Sequence, residues 1–253
     1  VILAVPDEIQ GSVFAGTVAD ALAPGATLGF ISGFSVHFGH VQPPEGTGMV
    51  LVAPKGPGTA VRARFVEGSG VPALLAVHQE NTAGTARDLA LTWAAALGAG
   101  RSGVIETTFG DEAETDLFGE QAVIVGGLAT LVRASYETLI EAGYPPHLAY
   151  IECCHEVKQV ADILHERGMA GMMEAISTTA ECGAYVAMDA LDTPQLRTTL
   201  AGLLAAVRDG SFATYLSEHG STRIEQCRVE LATHDLEAVG EGIRSLMVPP
   251  ADT

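Results

Sequence analysis

Four carboxylates in two identically spaced pairs are the residues of this chain best placed to do chemistry. Glu114-Thr-Asp-Leu-Phe-Gly-Glu-Gln121 carries three acids, among them Asp116 and Glu120 four residues apart, and Tyr150-Ile-Glu-Cys-Cys-His-Glu-Val157 repeats that interval with Glu152 and Glu156. On an α-helix, residues at i and i+4 lie one turn apart on one face, so each pair sets two like charges side by side. A hard divalent cation such as Mg2+ would turn that repulsion into shared attraction by taking the carboxylate oxygens. Each pair also opens an apolar periodic run: Ala122, Val123, Ile124, Val125, Leu128, Leu131 and Val132 after the first, Val157, Val160, Ile163 and Leu164 after the second. Ala122 to Val132 therefore reads as a buried helix whose acidic amino end meets the edge of a core. The plainer alternative is a pair of solvated helix faces, the ordinary fate of Asp and Glu. Spacing alone leaves both readings open.

The chain that must position these helices has 253 residues, 47% of them hydrophobic, enough for one large domain or two smaller ones. Its formal charge is -18, with 13 Lys and Arg against 31 Asp and Glu. That balance opposes nucleic acid or an anionic membrane surface as partner and favours small polar or metal-chelated substrates. The four cysteines, Cys153, Cys154, Cys182 and Cys227, form no C-x-x-C pair, which argues against a zinc site and a disulfide framework and for a reducing cytoplasmic setting. No uninterrupted apolar run reaches the roughly 18 residues that span a bilayer. No charged-then-apolar signal segment is read in these residues. The chain opens at Val1-Ile-Leu-Ala-Val-Pro6, already inside what reads as a buried strand, so a segment upstream of Val1 is expected.

Val1 to Val5 is a continuous apolar run closed by Pro6-Asp7-Glu8, the pattern of a parallel strand ending at a sheet edge where ligands collect. Ile9 to Leu22 reads as a helix, and further strands are expected at Ala26–Ile31, Met49–Ala53, Val71–Val77 and Gly103–Thr108, with a helix from Ala83 to Leu97. This alternation is α/β. Pro54-Lys-Gly-Pro-Gly58 is a rigid loop with Lys55 as an exposed amine at a strand end, a place where function concentrates. Gly98-Ala-Gly-Arg-Ser-Gly103 satisfies G-x-G-x-x-G, but a helix precedes it and a strand follows, the reverse of what a pyrophosphate site needs. From Asp111 onward the pattern is helical, over about 114–142, 148–167, 169–187, 193–208, 211–218, 221–232 and 235–246. The division falls near Phe109-Gly110, giving domains 1–109 and 110–253. Ser177, Thr178 and Thr179 read as mid-helix hydroxyls beside Glu181. Neither H-E-x-x-H nor G-x-S-x-G occurs, which argues against a zinc hydrolase or a serine hydrolase.

Taken together, Val-Ala-Pro-Lys-Gly-Pro-Gly (52–58), Glu-Thr-Asp-Leu-Phe-Gly-Glu-Gln (114–121), Glu-Cys-Cys-His-Glu (152–156) and Ser-Thr-Thr-Ala-Glu (177–181) resemble, in order and spacing, the short, mainly bacterial class of ketol-acid reductoisomerase. The resemblance covers nearly the whole chain. It implies a partial Rossmann domain followed by an all-α knotted domain, and an Mg2+-dependent alkyl migration on a 2-acetohydroxy acid followed by reduction with NADPH, in branched-chain amino acid synthesis. Carried over residue by residue, Asp116 bridges two Mg2+ ions, Glu120 completes one site and serves the chemistry, and Glu152 and Glu156 come from the second subunit of a homodimer, itself open to larger assembly. Ser177, also from that second subunit, holds the substrate carboxylate; Lys55 acts near the metal-bound groups; Asp7, Glu8, Ile9, Gln10 and Gly58 line the cofactor.

Two departures from the family pattern stand out. In Ile31-Ser32-Gly33-Phe34, serine occupies the place of the histidine that precedes the glycine of the family's His-Gly loop, and serine does not titrate near neutrality. The glycine fingerprint that opens the family's Rossmann domain is not read in these residues: either it lies upstream of Val1 or NADPH is not bound in the usual way. A different 2-acetohydroxy or 2-keto acid substrate, a metal-dependent isomerase or lyase without hydride transfer, and a non-catalytic paralogue that binds a partner are the alternatives these departures raise.

Overall fold

A computed structural model of the chain describes residues 1–246. In chain order, its first part comprises β1 (Ile2–Leu3), α1 (Asp7–Val13), β2 (Thr27–Phe30), α2 (Phe34–His37), β3 (Gly48–Pro54), α3 (Gly58–Val66), β4 (Ala73–Gln79), α4 (Ala86–Ala96), β5 (Val104–Glu106) and α5 (Phe109–Gly119). The strands form one sheet in sequence order. β3 reads as an unbroken apolar run because both its faces are covered, successive side chains pointing to opposite sides. Met49, Leu51 and Ala53 join Leu28, Phe30, Val36 and Phe109 in one core. Val50 and Val52 join Ala73 and Leu75 in the other, where Ala86, Ala90 and Ala94, four residues apart, bring α4 close to the sheet. Each fully buried Leu or Phe here stabilises the fold by roughly 1.5–3 kcal/mol.

β1, β2 and β3 run parallel, β4 runs antiparallel to β3, and β5 is parallel to β4. The reversal is set by the connection: Lys55 N donates to Pro72 O at 2.8 Å, so the segment between leaves and re-enters the sheet at the same end. The helix expected from Ile9 to Leu22 is α1 followed by a π-helical turn at Phe14–Val18 and a 3-10 turn at Ala19–Ala21. Gly98 closes α4 at φ 91°, and β5 follows, so the G-x-G-x-x-G stretch has the helix-then-strand context read from sequence.

The second part is helical: α6 (Gly126–Glu141), α7 (Pro146–Tyr150), α8 (Val157–Ala175), α9 (Thr178–Leu191), α10 (Pro194–Arg208), α11 (Ser211–Ala232) and α12 (Asp235–Leu246). Two compact units result, one of Val1–Phe118 with Val207–Ser217, the other of Gly119–Ala206 and the chain from Glu218 onward. The helical unit has its own core of Tyr136, Ala149, Tyr150 and Ile243. There the Tyr136 hydroxyl donates to Asp235 Oδ2 at 2.6 Å, and burial together with that carboxylate pushes its pKa up to about 12.

Several sequence expectations are corrected here. The run expected from residue 114 starts at Phe109 and is interrupted by a π-helical turn at Glu120–Ile124; a second such turn, Ile151–His155, separates α7 from α8. The segments 211–218 and 221–232 are one helix, α11. The break read at residue 168 is present, Gly168 leaving helical geometry at φ 70° and kinking α8, but the segment read as 169–187 is divided again at Ile176–Ser177, between α8 and α9. Ala122 to Val132 is not buried in the single chain: Val123, Ile124, Val125 and Leu131 are each more than half exposed. Among the described residues, the helical stretch Phe109–Glu141 is long and apolar enough, by length and composition, to cross a membrane. Its first part also carries Asp111, Glu112, Glu114, Asp116 and Glu120, charges that are costly in hydrocarbon.

Candidate active site

Because β1, β2 and β3 are parallel, their carboxyl ends reach the same sheet edge and deliver Asp7, Ser32-Gly33 and Lys55 there. α5 brings two carboxylates to them. Lys55 Nζ donates to Glu112 Oε1 at 2.6 Å and to Asp116 Oδ1 at 2.8 Å, and Glu112 Oε2 accepts from Gly33 N at 2.7 Å. Glu112 is 1% exposed, and two strand-end groups, the Lys55 ammonium and the Gly33 amide, depend on its carboxylate. Gly33 has to be glycine: a Cβ there would stand 2.3 Å from Phe109 O and 3.0 Å from Glu112 Oε2. Glu112 is the functional residue that the sequence reading missed. Its signal was present, since Glu112 precedes Asp116 by the same four residues that drew attention to Asp116 and Glu120.

Lys55, expected to be an exposed amine, is pinned. Burial pulls its pKa down, but hydrogen bonds to Asp116 and Glu112 outweigh that, leaving it above the usual 10.5. It is therefore a fixed positive charge and a hydrogen-bond donor rather than a base. Two carboxylates already converging on one positive charge make an oxygen donor set that suits a hard cation. Among the described residues, no three His, Cys, Asp or Glu side chains of the single chain form a group that could hold a metal ion.

Beside this trio, Ser32 Oγ accepts from Phe34 N at 3.2 Å and donates to Asp7 Oδ2 at 3.4 Å, while Gln10 Nε2 donates to Val5 O and to Asp7 Oδ1, both at 2.9 Å. Gln10 is 1% exposed and turned into its own loop, so it shapes the strand end; Glu8 and Ile9 are exposed on the first turn of α1, and Gly58 is exposed at the start of α3. Burial, opposed by the Ser32 hydrogen bond and reinforced by Glu112, Glu8 and Asp116, pushes Asp7 up from 3.8 to about 6. A carboxyl so raised binds its proton more tightly folded than unfolded, so stability falls as pH rises from about 4 to about 6 and is level above. With Asp7 only half-buried, the loss is about 1 kcal/mol. Asp7→Asn removes this slope, and denaturant melts at pH 4 and pH 8 read the difference.

The remaining expected site residues belong to the helical unit. Glu120 is the exposed first residue of its π-helical turn; Glu152 lies within the second turn and Glu156 follows it, both exposed. The π-helical turn Ile151–His155 adds a residue between Glu152 and Glu156, so strict one-turn stacking does not carry through that motif, whereas the first such turn begins only at Glu120 and leaves the α-helical interval from Asp116 intact. Gly126 and Gly127 permit the first of these turns, because a Cβ on either would fall 2.3 Å from Gln121 O or 2.1 Å from Ala122 O. Ser177 is not mid-helix: Ile176 leaves helical geometry, and Ser177 caps α9, its Oγ accepting from Ala180 N at 3.2 Å.

The structure thus brings together Lys55 with Asp116, and Ser32 with Asp7. Comparison with known proteins gives the class first. Residues 1–103 match the family model "Acetohydroxy acid isomeroreductase, NADPH-binding domain", and residues 109–248 match "Ketol-acid reductoisomerase, C-terminal domain". This is a nicotinamide-dependent oxidoreductase built from a dinucleotide-binding α/β part and a helical part. The relatives are specific. The chain is 44% identical over 250 residues to "Ketol-acid reductoisomerase (NADP(+))" of Campylobacter hominis, covering 98% of this chain and 73% of that protein, and 44% identical over 250 residues to the protein of the same description from Chloroherpeton thalassium, covering 98% and 74%. It superimposes with a TM-score of 0.94, at 38% identity, on an NADH-preferring ketol-acid reductoisomerase from an uncultured archean, covering 98% of this chain and 76% of that one. The chain belongs to the ketol-acid reductoisomerase family.

Proposed function

We propose that this protein converts a 2-acetohydroxy acid to a 2,3-dihydroxy acid, using Mg2+ and NADPH, in branched-chain amino acid synthesis in the cytoplasm. The observation that carries the reading is the Lys55 ammonium held between Glu112 and Asp116 at the edge of a sheet that matches a NADPH-binding domain. In the reaction a proton leaves the C2 hydroxyl, an alkyl group moves with its bonding pair from C2 to the neighbouring carbonyl carbon, whose oxygen takes up a proton, and hydride together with a proton from water then reduces the new C2 ketone to a hydroxyl. Two bound Mg2+ ions would polarise the carbonyl and hydroxyl oxygens together, and bound NADPH would supply the hydride. Asp116 and Glu120 would hold the ions, with Glu152 and Glu156 of the partner subunit completing the set, and Glu120 would also take the hydroxyl proton. Lys55 keeps its charge and donates hydrogen bonds to the oxygen on which negative charge develops. Glu112 orients Lys55 and the Gly33 amide. Ser177 of the partner subunit would hold the substrate carboxylate, and Asp7, Glu8, Ile9 and Gly58 would border the cofactor, with Gln10 setting the loop behind them.

A homodimer gives the exposed apolar row of the helical unit something to cover. Val123, Ile124, Val125, Leu128 and Leu131 are all exposed in the single chain, and a second copy removes them from water. Sizing in solution checks this. Ser32 is shorter than the imidazole of the family pattern and is turned toward Asp7 and Phe34, so it redirects the site toward a related 2-acetohydroxy or 2-keto acid.

The direct test follows NADPH consumption with 2-acetolactate and with bulkier 2-acetohydroxy acids, with and without Mg2+, and repeats it with NADH. Turnover that vanishes without Mg2+ is the expected result. Failure with every such acid and both nucleotides overturns the reading; turnover without any nucleotide points instead to an isomerase or lyase.

A further inference from the structure

Glu114 sits between Glu112 and Asp116 in sequence but serves different partners. Its Oε1 lies 3.4 Å from His37 Nε2 on α2, and its Oε2 lies 3.4 Å from Arg208 Nε at the end of α10. Two residues along a helix turn through about 200°, so Glu114 projects from the side of α5 opposite to Glu112 and Asp116. The helix is therefore gripped on two sides, by Lys55 and the Gly33 amide on one and by His37 and Arg208 on the other.

Both outer partners are seated independently of the ion pair. The His37 ring packs edge-on to Phe38, centroids 4.7 Å apart, and approaches α5 so closely that a Cβ on Gly110 would lie 3.1 Å from its Nδ1. Phe38 packs in turn, tilted by 60°, against Phe34 with centroids 4.9 Å apart. Val207, next to Arg208, is fully buried, and Gly210 at φ 79° turns the chain from α10 into α11 beside the Phe38 ring. Side chains as exposed as His37, Glu114 and Arg208, at 24%, 26% and 67%, add little to stability as ion pairs. What two fixed anchors on one carboxylate do supply is direction.

We propose that Glu114 is a positioning residue: held by His37 and Arg208, it fixes the rotation of α5 about its axis and thereby sets Glu112 and Asp116 over Lys55. The catalytic consequence rests on the reductoisomerase reading, whereas the restraint on α5 does not. A misplacement of about 1 Å in a reacting group costs about a hundredfold in rate, so a small rotation suffices to matter.

Glu114→Ala and Glu114→Gln in the full chain, compared by hydrogen–deuterium exchange, thermal melting and magnesium-dependent turnover, test this. In Glu114→Ala, amide protection over residues 113–119 falls about tenfold while other elements keep theirs, the half-saturating Mg2+ concentration rises severalfold, and kcat falls by about 10- to 100-fold with KM within about twofold. Glu114→Gln recovers most of each loss, its amide oxygen accepting from Arg208 and its amide nitrogen facing His37. Unchanged exchange over α5 in Glu114→Ala overturns the proposal, as does a loss of protection spread evenly through the chain with a collapsed melting temperature, or a Gln variant as impaired as Ala. Local loosening of α5 in a chain that shows no magnesium-dependent turnover upholds the restraint and overturns the reductoisomerase reading instead.

Discussion

Asp116→Asn lowers kcat by about 10³-fold or more and leaves the chain folded. Asn has the shape of Asp and retains an oxygen to accept from Lys55 Nζ, so the 2.8 Å contact survives in geometry while its charge is gone. Asp116 is 38% exposed, and an ion pair so open to water contributes at most about 1 kcal/mol to stability. Catalysis has no such cushion. Removing one preorganised group at a centre of developing charge costs about 10²–10³ in rate, and Asp116 is also the residue proposed to bridge two cations, so the two effects fall on one atom pair. Steady-state turnover, Mg2+ binding by calorimetry and a melting curve measure the three consequences separately. An Asp116→Asn protein with ordinary turnover sinks the metal-dependent mechanism; a wild-type chain that binds no Mg2+ and whose partner binding survives the substitution supports the non-catalytic alternative.

Parts of this architecture are plain in the sequence for definite physical reasons. β3 is legible because covering both faces of a strand demands an unbroken apolar run, and α4 because Ala86, Ala90 and Ala94 keep the helical period. The direction of β4 is not, because it depends on where the segment between Lys55 and Pro72 rejoins the sheet, a tertiary matter that no local pattern records. The break read between 218 and 221 is not made by α11, since the single glycine there, Gly220, costs a helix only about 1 kcal/mol. The π-helical turns escaped because apolar periodicity absorbs one extra residue; the adjacent glycines at 126 and 127 were the available clue. Burial of Ala122 to Val132 was inferred from hydrophobicity alone, which says that a surface seeks cover but not which chain supplies it. Lys55 is legible because a lysine stands in a Gly/Pro-rich loop at a strand end, and Asp116 because it pairs at i, i+4 with Glu120 ahead of an apolar run; the structure joins the two directly. Glu112 is not legible because, between Asp111 and Glu114, it looks like one more helix-terminal charge, and only the Gly33 amide, 79 positions away, reveals its use.

That distant contact makes Glu112→Ala the most damaging single change expected for stability. The substitution strands two donors at once: the buried Gly33 amide loses its acceptor, and Lys55 keeps only Asp116. Breaking a buried charged pair costs about 3–5 kcal/mol, and because Lys55 is 31% exposed and regains some hydration the expected loss is nearer about 2–4 kcal/mol. Methyl in place of carboxyl also frees Lys55 to swing, so turnover falls by about 10²-fold even where the protein is folded. Glu112→Gln separates the two losses. Its single oxygen can serve the Gly33 amide or the Lys55 ammonium but not both, and its amide nitrogen then faces whichever donor is left, so it recovers part of the stability and little of the rate. Denaturant midpoints for wild type, Gln and Ala should fall in that order, with both variants well below wild type in kcat. Equal midpoints for wild type and Glu112→Ala would mean that the carboxylate does not hold the β2 loop to α5, and the arrangement of Lys55 over Asp116 would then need a different support.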